Sequence, residues 1–245
     1  MIIHDEKQEI RNKVWRLLER EGASPSDSYG KIPSFVGAEK TAEALARTDP
    51  WRAASVIKAN PDHPQFSVRS RALRDGKLLY MAVPRMAGIR PFYKLDPDAL
   101  GLPIDEAADK SGAAKIGNRV SIEEMQPIDL VVCGSVAVNR LGARIGKGAG
   151  YSDLEVSLLI EAGLVTDKTT IVAPVHHLQL IDEEIPETEH DFRVDLIVTP
   201  HEVISCPSTY RPRGIVWEHL TRGMIEAIPV LAAQEERRRN KPQPE

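Results

Sequence analysis

Residues Asp129 to Glu155 read DLVVCGSVAVNRLGARIGKGAGYSDLE. Leu130 to Cys133 is a short apolar run rich in β-branched residues, which suits a buried strand better than a helix. A long apolar helix pattern begins only after Tyr151. Between the two lie Gly142, Gly146, Gly148 and Gly150 with Arg144 and Lys147. Such a loop can bring bare backbone N–H groups and two cations close to one anion. Ser152 and Glu155 have the spacing of a capping box at the start of the next helix, whose N-terminal N–H groups add to the same positive field. Asp153 then offers a carboxylate oxygen where a magnesium ion accompanying a nucleotide would need one. The loop lacks GKS or GKT, so it is not a Walker P-loop, and its alternate glycines do not make a dinucleotide fingerprint. A tight strand-to-helix connection with no ligand explains the same glycines.

Apolar runs alternate with helical patterns on both sides of this segment, so the 245 residues predict one α/β domain over 1–233 and a polar tail over 234–245. A content of 42% apolar and 28% charged residues is that of an ordinary globular chain. The formal charge of −4 gives no global attraction to a polyanion, so no nucleic-acid partner is expected and any phosphate contact must be local. Cys133 and Cys206 both sit among apolar residues and read as free thiols. No apolar run is long enough to span a bilayer and no leader pattern is visible, so we expect a cytoplasmic protein without a membrane partner.

Asp5 to Glu21 reads as an amphipathic helix capped by Asp5, with Ile10, Val14, Leu17 and Leu18 on its buried stripe. Lys7 and Arg11 lie one turn apart and emerge on one side. Glu39 to Arg47 is a short helix, Ser55 to Ala59 a strand, and the prolines of Asn60 to Gln65 force a loop. A helix over Val68 to Arg74 and a strand over Leu78 to Val83 follow. Arg85, Arg90, Phe92 and Tyr93 then crowd a loop that could clasp a planar acidic ligand. Surface arginines beside a partly buried aromatic pair account for the same residues, and that reading is preferred. Leu95 to Ser121 has no strong period and is either a flexible excursion over the site or a plain insertion. Leu154 to Leu164 is a buried helix and Thr169 to Pro174 a strand. His176 and His177 should point apart, as a polar strand end rather than zinc ligands. Leu196 to Val198 is a further strand, with Asp195 structural at its approach. Trp217 to Ala227 has helical spacing, Pro229 to Ala233 is a short apolar stretch, and the residues from Gln234 read as a frayed, solvated end.

RIGKGAGYSD at Arg144 to Asp153 resembles the RLGxGxGYYD segment of the 5-formyltetrahydrofolate cyclo-ligase family, the methenyltetrahydrofolate synthetases. Lys7 and Arg11 match the KxxxR of that family's first helix, and DFRVD at Asp191 to Asp195 resembles its late DxxVD. The sequence departs in three ways. Ser152 replaces the second tyrosine, Leu154 stands where many members carry arginine, and an acidic EVxT-like stretch is missing, with Asp62 the nearest carboxylate. GKGAGYSDLE and VIKANPDHPQ are closer to the divergent branch of methenyltetrahydrofolate synthetase domain containing proteins.

The resemblance implies an open three-layer α/β/α sandwich of the ribose-5-phosphate isomerase and CoA-transferase type. It implies ATP-dependent conversion of 5-formyltetrahydrofolate to 5,10-methenyltetrahydrofolate, with ATP and a reduced folate as partners and magnesium as cofactor. Lys7, Arg11, Arg144, Ile145, Gly146, Lys147, Gly148, Ala149, Gly150, Tyr151, Ser152 and Asp153 would hold the nucleotide. Arg144 and Tyr151 would flank the reaction, and Asp153 and Asp191 would carry the metal. A nucleotide or folate binder without turnover, or an ATP-dependent ligase acting on another substrate, are the alternatives.

Overall fold

In the computed structural model, which describes residues 2–25, 27–207 and 210–240, the chain opens on α1 (Ile2–Arg20), α2 (Ala38–Ala46) and α3 (Asp49–Ala53) before the first strand, β1 (Val56–Ala59). There follow α4 (Phe66–Arg74), β2 (Leu78–Ala82), β3 (Phe92–Leu95), α5 (Ile104–Ala108), α6 (Lys110–Ile116), β4 (Arg119–Val120) and β5 (Leu130–Val132). The central segment supplies β6 (Ala137–Asn139), β7 (Arg144–Ile145) and α7 (Tyr151–Glu161). The rest is β8 (Thr170–Pro174), β9 (Leu180–Ile181), β10 (Leu196–Val198), β11 (Val203–Ser205), α8 (Arg222–Ala227) and α9 (Pro229–Asn240).

The main sheet has the order β11-β10-β8-β5-β1-β2-β3-β4. Its middle strands, β10, β8, β5, β1 and β2, run parallel, while β11 and β3 add antiparallel neighbours outside them. Parallel strands are covered on both faces, which is why β5 and β8 read as near-continuous apolar runs and β1 as one broken only by Lys58. Their alternating side chains feed two cores. Ile57, Leu79, Leu130 and Val132 pack with α2 to α6, and Val56, Tyr80, Val131 and Ile171 pack with α7 and α9. Asp129 fixes the start of β1 by accepting the backbone N–H groups of Ser55 and Val56, each at 2.9 Å. From β1 the chain builds β2 on one side, and from β5 it builds β8 and β10 on the other. The carboxyl ends of β1 and β5 therefore flank a topological switch point, where open α/β sheets leave a crevice.

Several expectations need correction. Asp5 lies inside α1 and is exposed, because the helix already begins at Ile2. Val14 and Leu18 are buried as predicted, but Trp15 takes the place of the half-buried Leu17, filling the gap beneath the loop that carries Lys31. The glycine segment is not one loop. Residues 137–145 form a hairpin in a small sheet of order β7-β6-β9, and Gly142 turns that hairpin with φ 86°. Residues 95–121 are not a loose excursion: α5 and α6 pack as a helical corner so tight that a Cβ on Gly112 would lie 1.7 Å from the Glu106 carbonyl oxygen. Pro229 opens α9, which continues through 234–240, and Lys241 to Glu245 lie outside the described residues. Among the described residues no helix is long and apolar enough to cross a membrane.

Candidate functional site

The crevice at the switch point is a cleft of about 1620 Å³. Its walls come from α1, the loop after β1, Gly134 after β5, the whole of 144–153, and Thr188, His190 and Asp191. Lys7, Arg11 and Asp191 join the ten residues from Arg144 to Asp153 on it, so every residue that the family resemblance assigned to the site lines one cavity. Gly142 does not, because its turn abuts the Val194 carbonyl instead.

Each cation on the Arg144 wall is held in place. Lys7 Nζ donates to Asp191 Oδ2 at 2.6 Å, and Asp191 also accepts the Thr188 backbone N–H and hydroxyl. Burial alone would raise the Asp191 carboxyl, but these donors outweigh it and keep it below the usual carboxylate range. Arg11 Nε donates to the Gly146 carbonyl at 2.7 Å. Burial lowers its guanidinium, opposed by Asp153 and then Asp191, so both carboxylates act on one side chain. Arg144 Nη1 donates to Asp153 Oδ1 at 2.8 Å and the guanidinium stacks 4.4 Å from the Phe192 ring centre. Burial works against its charge, yet Asp153 leads the groups that hold it above its ordinary value. Its Nε and Nη2 are buried with no acceptor among the described residues. Buried donors without partners are costly, so an acceptor reaching these two nitrogens would relieve that cost. Gly146 is needed beside it, since a Cβ there would sit 2.8 Å from Nη2.

The capping box does not form. Gly150, with φ 71°, precedes α7 with no side-chain cap, and the Ser152 hydroxyl is buried without a partner among the described residues. The first N–H groups of α7 thus have no side-chain acceptor, which suits an incoming anion. Glu155 turns inward instead and accepts from Lys58 Nζ at 2.5 Å, while Lys58 also donates to Asn60 at 3.2 Å. Lys147 reaches across the switch point to Asp62 at 3.0 Å. Sequence reading missed Lys58, Asn60 and Thr188 and could not place Asp62. A lysine inside the apolar run VIKA was the available signal, because a buried strand tolerates a charge only with a partner.

Arg90, Phe92 and Tyr93 lie away from the cleft. Phe92 and Tyr93 are buried in β3, and Arg90 pairs with Glu124 on the surface. His176 and His177 do not point apart: the chain turns at His176, which caps a 3-10 turn, and the two rings stand 4.1 Å apart. Among the described residues no three or more His, Cys, Asp or Glu side chains converge as metal ligands. A cation between Asp153 and Asp191 would need phosphate and water oxygens to complete its shell, which is how magnesium binds with nucleotides.

The model of the 5-formyltetrahydrofolate cyclo-ligase family matches residues 3–200. The chain is 36% identical over 233 residues to the methenyltetrahydrofolate synthase domain-containing protein of Bos taurus, covering 92% of this chain and 60% of that one. The corresponding protein of Homo sapiens is 34% identical over 232 residues, again with 92% and 60% covered. The chain therefore spans about 60% of the length of these relatives. The solved 5,10-methenyltetrahydrofolate synthetase of Aquifex aeolicus superposes with a TM-score of 0.52 over 90% of this chain and 100% of its own, at 17% identity, so it shares the fold. With the family model spanning most of its length and the central RIGKGAGYSD folded onto the cleft, the chain belongs to the 5-formyltetrahydrofolate cyclo-ligase family, in its divergent branch.

Proposed function

We propose that the protein binds magnesium ATP and 5-formyltetrahydrofolate in this cleft and closes the formyl group into 5,10-methenyltetrahydrofolate. One observation carries the reading: Lys7, Arg11, Arg144 and Lys147, from segments far apart in sequence, meet on one wall with two guanidinium nitrogens of Arg144 left for an anion. The same reading brings the ribose-5-phosphate isomerase and CoA-transferase type of sandwich with it.

The formyl oxygen attacks the γ-phosphorus of ATP, the bond to the β-bridging oxygen breaks and ADP leaves. The neighbouring secondary amine then adds to the activated carbon, inorganic phosphate departs as the ring closes, and the amine proton passes to solvent. No side chain acts as a nucleophile, so the work is positioning and charge neutralisation. Arg144 is oriented by Asp153 and Phe192 before any ligand arrives, which removes reorganisation from the step. Lys7 and Arg11 add fixed positive charge, the glycine turn at 146–150 lets phosphate approach the backbone, and Tyr151 flanks the ligand. Asp153 and Asp191 would hold magnesium, which supplies neutralisation of phosphate charge when bound.

The test is to mix the protein with ATP, magnesium and 5-formyltetrahydrofolate and follow the methenyl absorbance, alongside calorimetry with AMP-PNP. Product formation that disappears in Arg144→Ala is expected. Binding of AMP-PNP without product supports the alternative of a binder or a ligase for another substrate, which Ser152 in place of the family's second tyrosine favours. Failure to bind nucleotide removes the proposal.

A further inference from the structure

Four cations of the cleft, Lys31, Arg69, Arg85 and Lys110, belong to neither the glycine turn nor α1, and two of them stand apart. Arg85 follows β2 and Lys110 opens α6, and both line the same cavity. They differ from its other lysines and arginines in one respect. Lys7, Arg11, Lys31, Arg69, Arg144 and Lys147 donate to carboxylates or carbonyls of the protein, whereas the side chains of Arg85 and Lys110 donate to nothing among the described residues and are exposed.

Neither is on a casual loop. Arg85 has φ 58° and the buried Met86 after it φ 52°. Two successive non-glycine residues in the left-handed region are strained, and strain held at a cleft rim is a reason to look for a ligand. Lys110 sits on a corner that the buried Arg69 pins in place. Arg69 Nε donates to the Ala108 carbonyl at 2.8 Å and Nη1 to the carbonyls of Asn60 and Asp62 at 2.7 and 2.9 Å. Asp109 and Asp62, the carboxylates on this side, are already engaged, by Ser111 and by Lys147. In the sheet order, β2 lies two strands from β5, so Arg85 leaves the sheet about 10 Å from the strand that leads to the glycine turn.

We propose that Arg85 and Lys110 form a second anion-binding pole, which takes the carboxylate end of the co-substrate while the Arg144 wall takes the phosphates. The pole stands on this geometry; that its ligand is a reduced folate rests on the cyclo-ligase reading. The cleft is then bipolar, and the acidic end of the acceptor fixes which of its atoms faces the nucleotide. Residues 104–116, which make the corner, become a specificity element.

The experiment measures binding of AMP-PNP with magnesium, of 5-formyltetrahydrofolate, and of 4-aminobenzoyl-glutamate, a dicarboxylate without the pterin. The proteins are the full chain, Arg85→Glu, Lys110→Glu, and Lys168→Glu, just before the amino end of β8 and so at the end of the strands away from the cleft, as a control for net charge. Each reversal in the cleft is expected to weaken both carboxylate ligands about tenfold, since it replaces a contact attraction with a repulsion of similar size. AMP-PNP should stay within about twofold, and the control should match the parent. Arg85→Gly relieves the positive φ and is expected to melt no lower than the parent while losing the same affinity, which separates charge from misfolding. Unchanged carboxylate binding in both reversals, or equal loss of AMP-PNP, overturns the pole. A parent protein that binds 4-aminobenzoyl-glutamate through Arg85 yet makes no methenyl product keeps the pole and removes the cyclo-ligase reading. A parent that binds neither carboxylate ligand removes both.

Discussion

Lys58 lies in β1 with no exposed surface and meets Glu155 from α7 at 2.5 Å. Removing one member of a buried pair strands the other, so Lys58→Met should cost about 3–5 kcal/mol in urea unfolding. The double variant Lys58→Met with Glu155→Leu should recover most of it, and no recovery would mean that the pair is not coupled. The titration of His176 offers a second check. Its ring accepts the Leu178 N–H, and burial, followed by the neighbouring His177 and His201 rings, pushes it down to about 4 from 6.5. The unfolded chain therefore takes up the proton first. Its contribution to stability is complete above the ordinary value near 6.5 and is lost as the pH falls toward 4. His176→Asn, which keeps a cap acceptor without a charge change, should flatten urea midpoints over that window; an unchanged slope would assign the pH dependence elsewhere. At this scale Lys7 with Arg11, the RIGKGAGYSD run and Asp191 were legible through the family resemblance, although Lys7 and Asp191 meet across 184 positions. Asp62 and Lys58 had no role assigned by that resemblance, and nothing local points to their partners 85 and 97 positions away.

The α5–α6 corner shows why elements were harder to read than strands. β1, β2, β5, β8 and β10 announce themselves as short apolar runs, since both of their faces are covered. Residues 104–116 have no such pattern: their contact with α4 uses alanines, and Gly112 lets the two helices touch. Small residues give little hydrophobic contrast, so the period is hidden. Gly112→Ala should therefore force the helices apart and cost more than about 2 kcal/mol, read as a lowered urea midpoint. Under the second-pole proposal it should also weaken carboxylate binding. A neutral effect would show that the corner yields freely and that Lys110 is not held. The capping box failed for a related reason. Ser152 and Glu155 have the right spacing, but the buried Lys58 beneath α7 competes for the same carboxylate and wins because an unpaired lysine there would be far more costly than an uncapped amide.

Across the molecule, the formal charge is −4, yet the cleft is lined by eight lysines and arginines against five carboxylates, and one of those, Glu155, is already matched by Lys58 from below. The switch point makes this possible, because loops after β1 and β5 converge there while the acidic residues of 182–189 and of the surface helices stay outside. A cleft whose lining is net positive concentrates anions even on a chain of the opposite net sign. Affinity for magnesium AMP-PNP should then fall with salt, but less steeply than for an open basic surface. Lys7, Arg144 and Lys147 are paired with Asp191, Asp153 and Asp62 before the ligand arrives, so binding exchanges partners rather than filling a bare field. Raising ionic strength from 0.05 to 0.5 M shortens the screening length to several ångströms, and a drop of about tenfold in affinity is expected. Asp62→Asn should increase both the low-salt affinity and its salt dependence, because it releases Lys147 without touching the Arg144 pair. Affinity indifferent to salt in both proteins would mean that apolar contacts, not this charge distribution, hold the nucleotide.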